Sequence, residues 1–276
     1  MTTYAHLYPS LEGTENYSKK NALALALLAK LAYEKSTVGR KVARQQWGFK
    51  HYQYFTVKKG SDVDTQAILC ANDTDVVIAF RGTAEMKNDW LTNLQAVREA
   101  GPLRKTLAHE GFQDALFPAV IRIVNAIDSR LTNSKRLWIT GHSLGGALAS
   151  LFAAMLIENK YNVYGLYTYA SPRPGDATFA DNLNAAIKGP HFRIVNESDV
   201  VPHVPPEPFF SHPGSRKILK EQRVVDDNRS WFKERIKALK DFVERVGDTF
   251  DVIDNHSLWG GGKSYIERLL KDYERD

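Results

Sequence analysis

The chain has 276 residues and a mass of 31.1 kDa, with 43% hydrophobic and 25% charged residues. Those proportions exclude a disordered or collagen-like polypeptide and allow a large core. Basic residues outnumber acidic ones by 37 to 32, a net charge of +5 with a pI near 9.1, but the two signs are interspersed, so nucleic-acid binding is not expected. Cys70 is the one cysteine, which rules out an intrachain disulfide or a cysteine-rich metal site, so the fold does not depend on an oxidising compartment. At this length a single α/β domain over residues 1–276 is expected.

In chain order, the first feature is an apolar run over residues 22–29 that follows Lys19 and Lys20. Glu12 and Glu15 stand where a signal peptide would be basic, and the run ends at Lys30, far short of the ~18 apolar residues of a membrane span. Residues 22–33 are therefore expected as an Ala/Leu-rich helix. With no leader visible, the protein is expected in the cytoplasm or exported without a classical signal. Short apolar runs follow, each ending in small or turn residues. Residues 52–57 and 67–71 read as an early antiparallel portion, and 76–80, 137–140, 164–170 and 192–195 as buried strands of a mostly parallel sheet. Helices are expected over 111–130 and 144–158. Five prolines, Pro202, Pro205, Pro206, Pro208 and Pro213, make 202–214 a loop. Within 231–246, Phe232, Ile236, Leu239, Val243 and Val246 recur at helical spacing, predicting an amphipathic helix that packs on the body of the domain, with a membrane-surface or partner-docking helix as the alternative.

Gly141-His142-Ser143-Leu144-Gly145 fits G-x-S-x-G between a predicted strand and a predicted helix, the setting of a nucleophile elbow. Such a turn exposes the serine side chain. It also points helix N–H groups at the oxyanion that forms during acyl transfer. Serine is a weak nucleophile by itself and needs a histidine base held by a carboxylate. In the chain order Ser, Asp or Glu, His, the candidate carboxylates are Asp199, after the strand 192–195, and its rivals Asp176 and Glu197. His191, His203, His212 and His256 all follow the serine, and position favours His256.

Several blocks resemble, in order, those of the class 3 lipase family, the fungal-lipase-like α/β hydrolases. Val76-Val77-Ile78-Ala79-Phe80-Arg81-Gly82-Thr83 is similar to the family's oxyanion strand, and His109-Glu110-Gly111-Phe112 to its His-x-Gly-Phe. Residues 141–146 resemble its elbow, 169–175 its post-strand loop, 196–206 its Asp loop and 254–257 its His loop. The resemblance implies an α/β-hydrolase fold: a central, mostly parallel sheet flanked by helices, with a short helical lid. It implies Ser143 as nucleophile, Asp199 as acid and His256 as base, with Thr83 and Leu144 lining the oxyanion hole and His109 in a supporting role. Residues 84–94 carry Met86, Trp90, Leu91 and Leu94 on one helical side, and the resemblance makes them a lid that opens at a lipid surface. The expected activity is hydrolysis of acylglycerol or related lipid esters at an oil–water or membrane interface, with no metal or organic cofactor. Phospholipase A1, soluble carboxylesterase or feruloyl esterase, and a lipase-like lipid-binding protein are the alternatives. Oligomeric state is not readable.

Overall fold

A computed structural model describes residues 2–59, 63–82, 97–220, 223–226 and 255–275. Eight strands form one sheet: β1 (His51–Lys59), β2 (Val63–Ala71), β3 (Asp75–Phe80), β6 (Arg136–His142), β7 (Gly165–Tyr169), β8 (His191–Asn196), β9 (Ser215–Lys220) and β10 (Arg223–Asp226), in that spatial order. The first three pair antiparallel. From β3 through β9 every pairing is parallel, and β10 returns antiparallel on β9. A separate two-stranded ribbon joins β4 (Arg98–Ala100) to β5 (Leu107–His109).

The central strands are continuous apolar runs because both faces are covered. Side chains alternate along each strand, so Val76, Ile78 and Phe80 enter one core while Val77 and Ala79 enter the other. The first core lies under α3 (Glu110–Asp128), α4 (Leu144–Glu158) and α5 (Ala177–Ala186), through Phe112, Leu116, Leu148, Phe152 and Phe179. The second lies under α1 (Lys19–Leu31) and α6 (Tyr265–Tyr273), through Leu23, Leu27, Tyr265, Ile266 and Leu269. A short helix, α2 (Ser36–Lys41), follows α1. The apolar run at 22–29 is thus a core helix with every residue buried, and Ser18 caps it by accepting from the Asn21 N–H at 3.1 Å. Among the described residues no helix is long and apolar enough to cross a membrane.

The strands and helices expected within the described residues appear within a few residues of their anticipated bounds. Residues 202–214 contain one 3-10 turn at Val201–His203 and are otherwise irregular. The ribbon β4–β5, the edge strands β9 and β10, and the helices α2, α5 and α6 were not anticipated. Because β3 and β6 run parallel, their carboxyl ends bring Gly82 and Ser143 to the same edge of the sheet. The candidate chemistry collects there.

Candidate active site

Ser143 follows β6 directly and precedes α4, with φ of 59° and ψ of −132°. A non-glycine residue at positive φ is strained, and here the strain sits at the strand-to-helix elbow. Close approach of backbone demands glycine at Gly141, where a Cβ would meet the carbonyl of Gly145. The turn is closed by the Ser143 N–H donating to the Tyr169 carbonyl at 2.9 Å and the Gly146 N–H donating to the Ser143 carbonyl at 2.8 Å. Leu144 opens α4, so its N–H belongs to the first turn, which has no intrahelical acceptor.

Asp199 and His256 meet as the sequence order suggested. His256 Nδ1 lies 3.0 Å from each carboxylate oxygen of Asp199, and both residues are buried. The carboxylate also accepts from the Val201 N–H at 3.0 Å and from the Tyr265 hydroxyl at 2.6 Å. Since the carboxylate accepts the Nδ1–H, the lone pair of neutral His256 is on Nε2. That nitrogen is buried and has no hydrogen-bond partner among the described residues. His256 stands beside the elbow: its ring centroid is 4.9 Å from that of His142, and its carbonyl is 2.8 Å from His142 Nε2. Burial first, and then the neighbouring His256, hold the His142 imidazole well below its ordinary range, so it is neutral.

The rival carboxylates are committed elsewhere. Asp176 caps α5 by accepting from the Phe179 N–H at 2.8 Å, and Glu197 pairs with Lys220 at 3.6 Å on the surface. His212 is tied to the Pro202 carbonyl at 2.7 Å. His109 caps α3, accepting from the Phe112 N–H, and stacks on the Phe112 ring with centroids 4.0 Å apart. Thr83 and the segment with Met86, Trp90, Leu91 and Leu94 lie outside the described residues, as does the expected helix over 231–246.

Several residues frame the site through contacts that have no signal in the sequence. Tyr265 accepts from the Asn196 N–H at 2.9 Å while donating to Asp199, so one buried hydroxyl joins the end of β8 to the acid. The Asn196 amide donates to the carbonyls of Asn255 at 2.7 Å and Lys263 at 3.0 Å, and so holds the loop that carries His256. Arg173 donates to the Pro205 carbonyl at 2.9 Å and pairs with Glu207 at 3.2 Å, binding the post-β7 loop to the loop after Asp199. These are long-range contacts, invisible until the chain is folded.

A mostly parallel sheet flanked by helices, with a strained serine between strand and helix and an Asp–His pair on later loops, defines an α/β-hydrolase fold. Residues 77–209 match the family described as lipase (class 3). It is 35% identical over 175 residues to a lipase of Rhizomucor miehei, covering 60% of this chain and 46% of that one. It is 33% identical over 138 residues to secreted mono- and diacylglycerol lipase 1 of Fusarium solani, covering 49% and 40%. The chain thus spans less than half the length of these curated relatives. Among solved structures, lipase II from Rhizopus niveus superposes with a TM-score of 0.64 at 26% identity, covering 73% of this chain and 80% of that one.

Proposed function

We propose that the protein is a serine ester hydrolase, a lipase that cleaves acylglycerol esters at a lipid interface. The observation that carries this reading is the buried Asp199–His256 pair beside a strained elbow serine, with the second imidazole nitrogen uncommitted. In the reaction, His256 Nε2 takes the proton of Ser143 Oγ as that oxygen attacks the ester carbonyl. Asp199 holds the imidazole in the Nδ1–H tautomer and stabilises the imidazolium. The oxyanion receives the Leu144 N–H and, by family resemblance, Thr83. His256 then protonates the departing alcohol, leaving an acyl-enzyme, and next activates the water that releases the carboxylic acid. No step needs a metal or organic cofactor. The relatives' names support acylglycerols as substrate, and the apolar side of residues 84–94 supports a lid that exposes Met86, Trp90, Leu91 and Leu94 to lipid.

The test is hydrolysis rate against tributyrin concentration, carried through the solubility limit, with Ser143→Ala as the blank. A jump at the limit is the expected result. Saturation well below the limit would replace the lipase reading with a soluble carboxylesterase, and turnover by Ser143→Ala equal to wild type would overturn the assignment of the nucleophile. If neither protein turns over tributyrin but wild type releases fatty acid from phosphatidylcholine vesicles, the substrate class is phospholipid. No activity on either, with no stoichiometric phosphonate adduct on Ser143, would leave a lipid-binding protein.

A further inference from the structure

Tyr33 lies just past the C-terminus of α1, about fifty positions before the oxyanion strand ends, and no step of the mechanism uses it. Its hydroxyl nevertheless touches two parts of the site. The Gly82 N–H donates to the Tyr33 oxygen at 3.0 Å, and the same oxygen lies 3.0 Å from His142 Nδ1. Glycine is required at position 82 for this approach, since a Cβ there would come within 2.6 Å of the hydroxyl and 2.5 Å of the His142 carbonyl.

The direction of each bond follows from chemistry. The His256 carbonyl can only accept, so His142 Nε2, at 2.8 Å, carries the proton. Neutral His142 then presents a bare Nδ1, to which the Tyr33 O–H donates while its oxygen receives Gly82. The reverse tautomer would oppose two lone pairs at His256 and leave the hydroxyl proton without an acceptor. The ring itself is held by other contacts: edge-on to Trp259 at 5.1 Å between centroids, with the Arg81 guanidinium 5.4 Å from the ring centroid. Trp259 is in turn covered by Lys30 Nζ at 3.7 Å. Deleting the hydroxyl therefore leaves the ring's packing in place.

We propose that Tyr33 is a positioning residue. Through His142 it fixes the backbone of His256, and through Gly82 it fixes the residue before Thr83, so one hydroxyl sets the base and the end of the oxyanion strand against Ser143. The inference rests on the serine hydrolase reading, and its test separates the two.

On a soluble p-nitrophenyl ester, Tyr33→Phe is expected to lower kcat by about tenfold or more while KM stays within about twofold, because misplacement of reacting groups acts on the chemical step. His142→Gln, whose amide can still donate to the His256 carbonyl, should keep more of kcat than His142→Leu. Adding Tyr33→Phe to His142→Leu should cost less than it costs in wild type, since only the path through Gly82 then remains to be cut. Wild-type kcat in Tyr33→Phe, or a loss confined to KM, overturns the proposal. A second readout does not need turnover. In 15N-histidine spectra, the resonance lost in His142→Gln should report a neutral ring protonated at Nε2, and its Nδ1 signal should move in Tyr33→Phe. The opposite tautomer, or an unmoved Nδ1, overturns the network. An intact network in a wild-type protein that cleaves no ester would instead overturn the hydrolase reading and reduce Tyr33 to a structural tie.

Discussion

The proposed nucleophile and the Asp199–His256 arm proposed to serve it are held in place by different means. Ser143 is set by backbone crowding within a few consecutive residues: positive φ, with Gly141 packed against the carbonyl of Gly145. The arm is assembled across the chain. Asp199 and His256 are 57 residues apart, Tyr265 reaches back 66 to Asp199, and His142 bonds to a carbonyl 114 positions on. Steric placement is all or nothing, because backbone atoms cannot yield without moving the strand. Hydrogen-bonded placement is graded, since each bond contributes its own part and can be removed singly. One half of the site is therefore rigid by construction, and the other is adjustable.

The comparison is broken most severely at Gly141. An alanine Cβ there meets only backbone, including the Gly146 nitrogen at 2.9 Å, so nothing flexible can move aside. We expect Gly141→Ala to abolish ester turnover and to destabilise the fold by about 3 kcal/mol or more, read as a lowered unfolding midpoint. Wild-type melting with wild-type activity would refute the steric account of the elbow. On the other side, Asp199→Asn should leave the protein folded yet lower kcat by about 10⁴-fold, through the wrong imidazole tautomer. The Asp199 oxygens receive donors from His256, Val201 and Tyr265, so an amide NH2 would face at least one of them. A loss of less than about tenfold would mean that the arm does not orient His256 as described.

Contiguity also decides what could be read from the sequence. The elbow is six neighbouring residues with a glycine pattern, and strands buried on both faces are plain apolar runs, so both were legible. The edge strands were not. β9 reads Ser-Arg-Lys-Ile-Leu-Lys, with charges interleaved because it lies near the sheet margin, and β4 and β5 have three residues each. Helix α6 carries a signal in the sequence, with Ile266, Leu269 and Leu270 at helical spacing after Gly260-Gly261-Gly262. The preference for Asp199 over Asp176 and Glu197 could not follow from spacing. Asp176 sits at a helix start and Glu197 beside Lys220, facts of tertiary structure, and family resemblance supplied the assignment before the fold did. The contacts of Tyr33, Tyr265 and Asn196 are hydrogen bonds over long separations, which leave no periodicity or motif behind.

The finest test falls on His142, which belongs to the elbow in sequence and to the arm in its bonding. Burial, then the proximity of His256, keeps its folded-state pKa well below the ordinary value of 6.5. Above that value the imidazole is neutral in both folded and unfolded chains and stability does not depend on it. As pH falls below it, the unfolded chain takes up a proton that the folded one refuses, so stability drops by at most about 1.4 kcal/mol per pH unit for this one group. Other buried histidines add to the total slope, but His142→Gln removes only its own share. Denaturant unfolding between about pH 6.5 and 4.5 should therefore show a shallower loss of stability in His142→Gln than in wild type, with the two curves parallel above that range. Parallel curves throughout would mean that His142 is protonated as readily in the folded chain as in the unfolded one. Below about pH 6.5 its ring could not then offer a bare Nδ1 to Tyr33, and the tie between the rigid and adjustable halves of the site would be lost there.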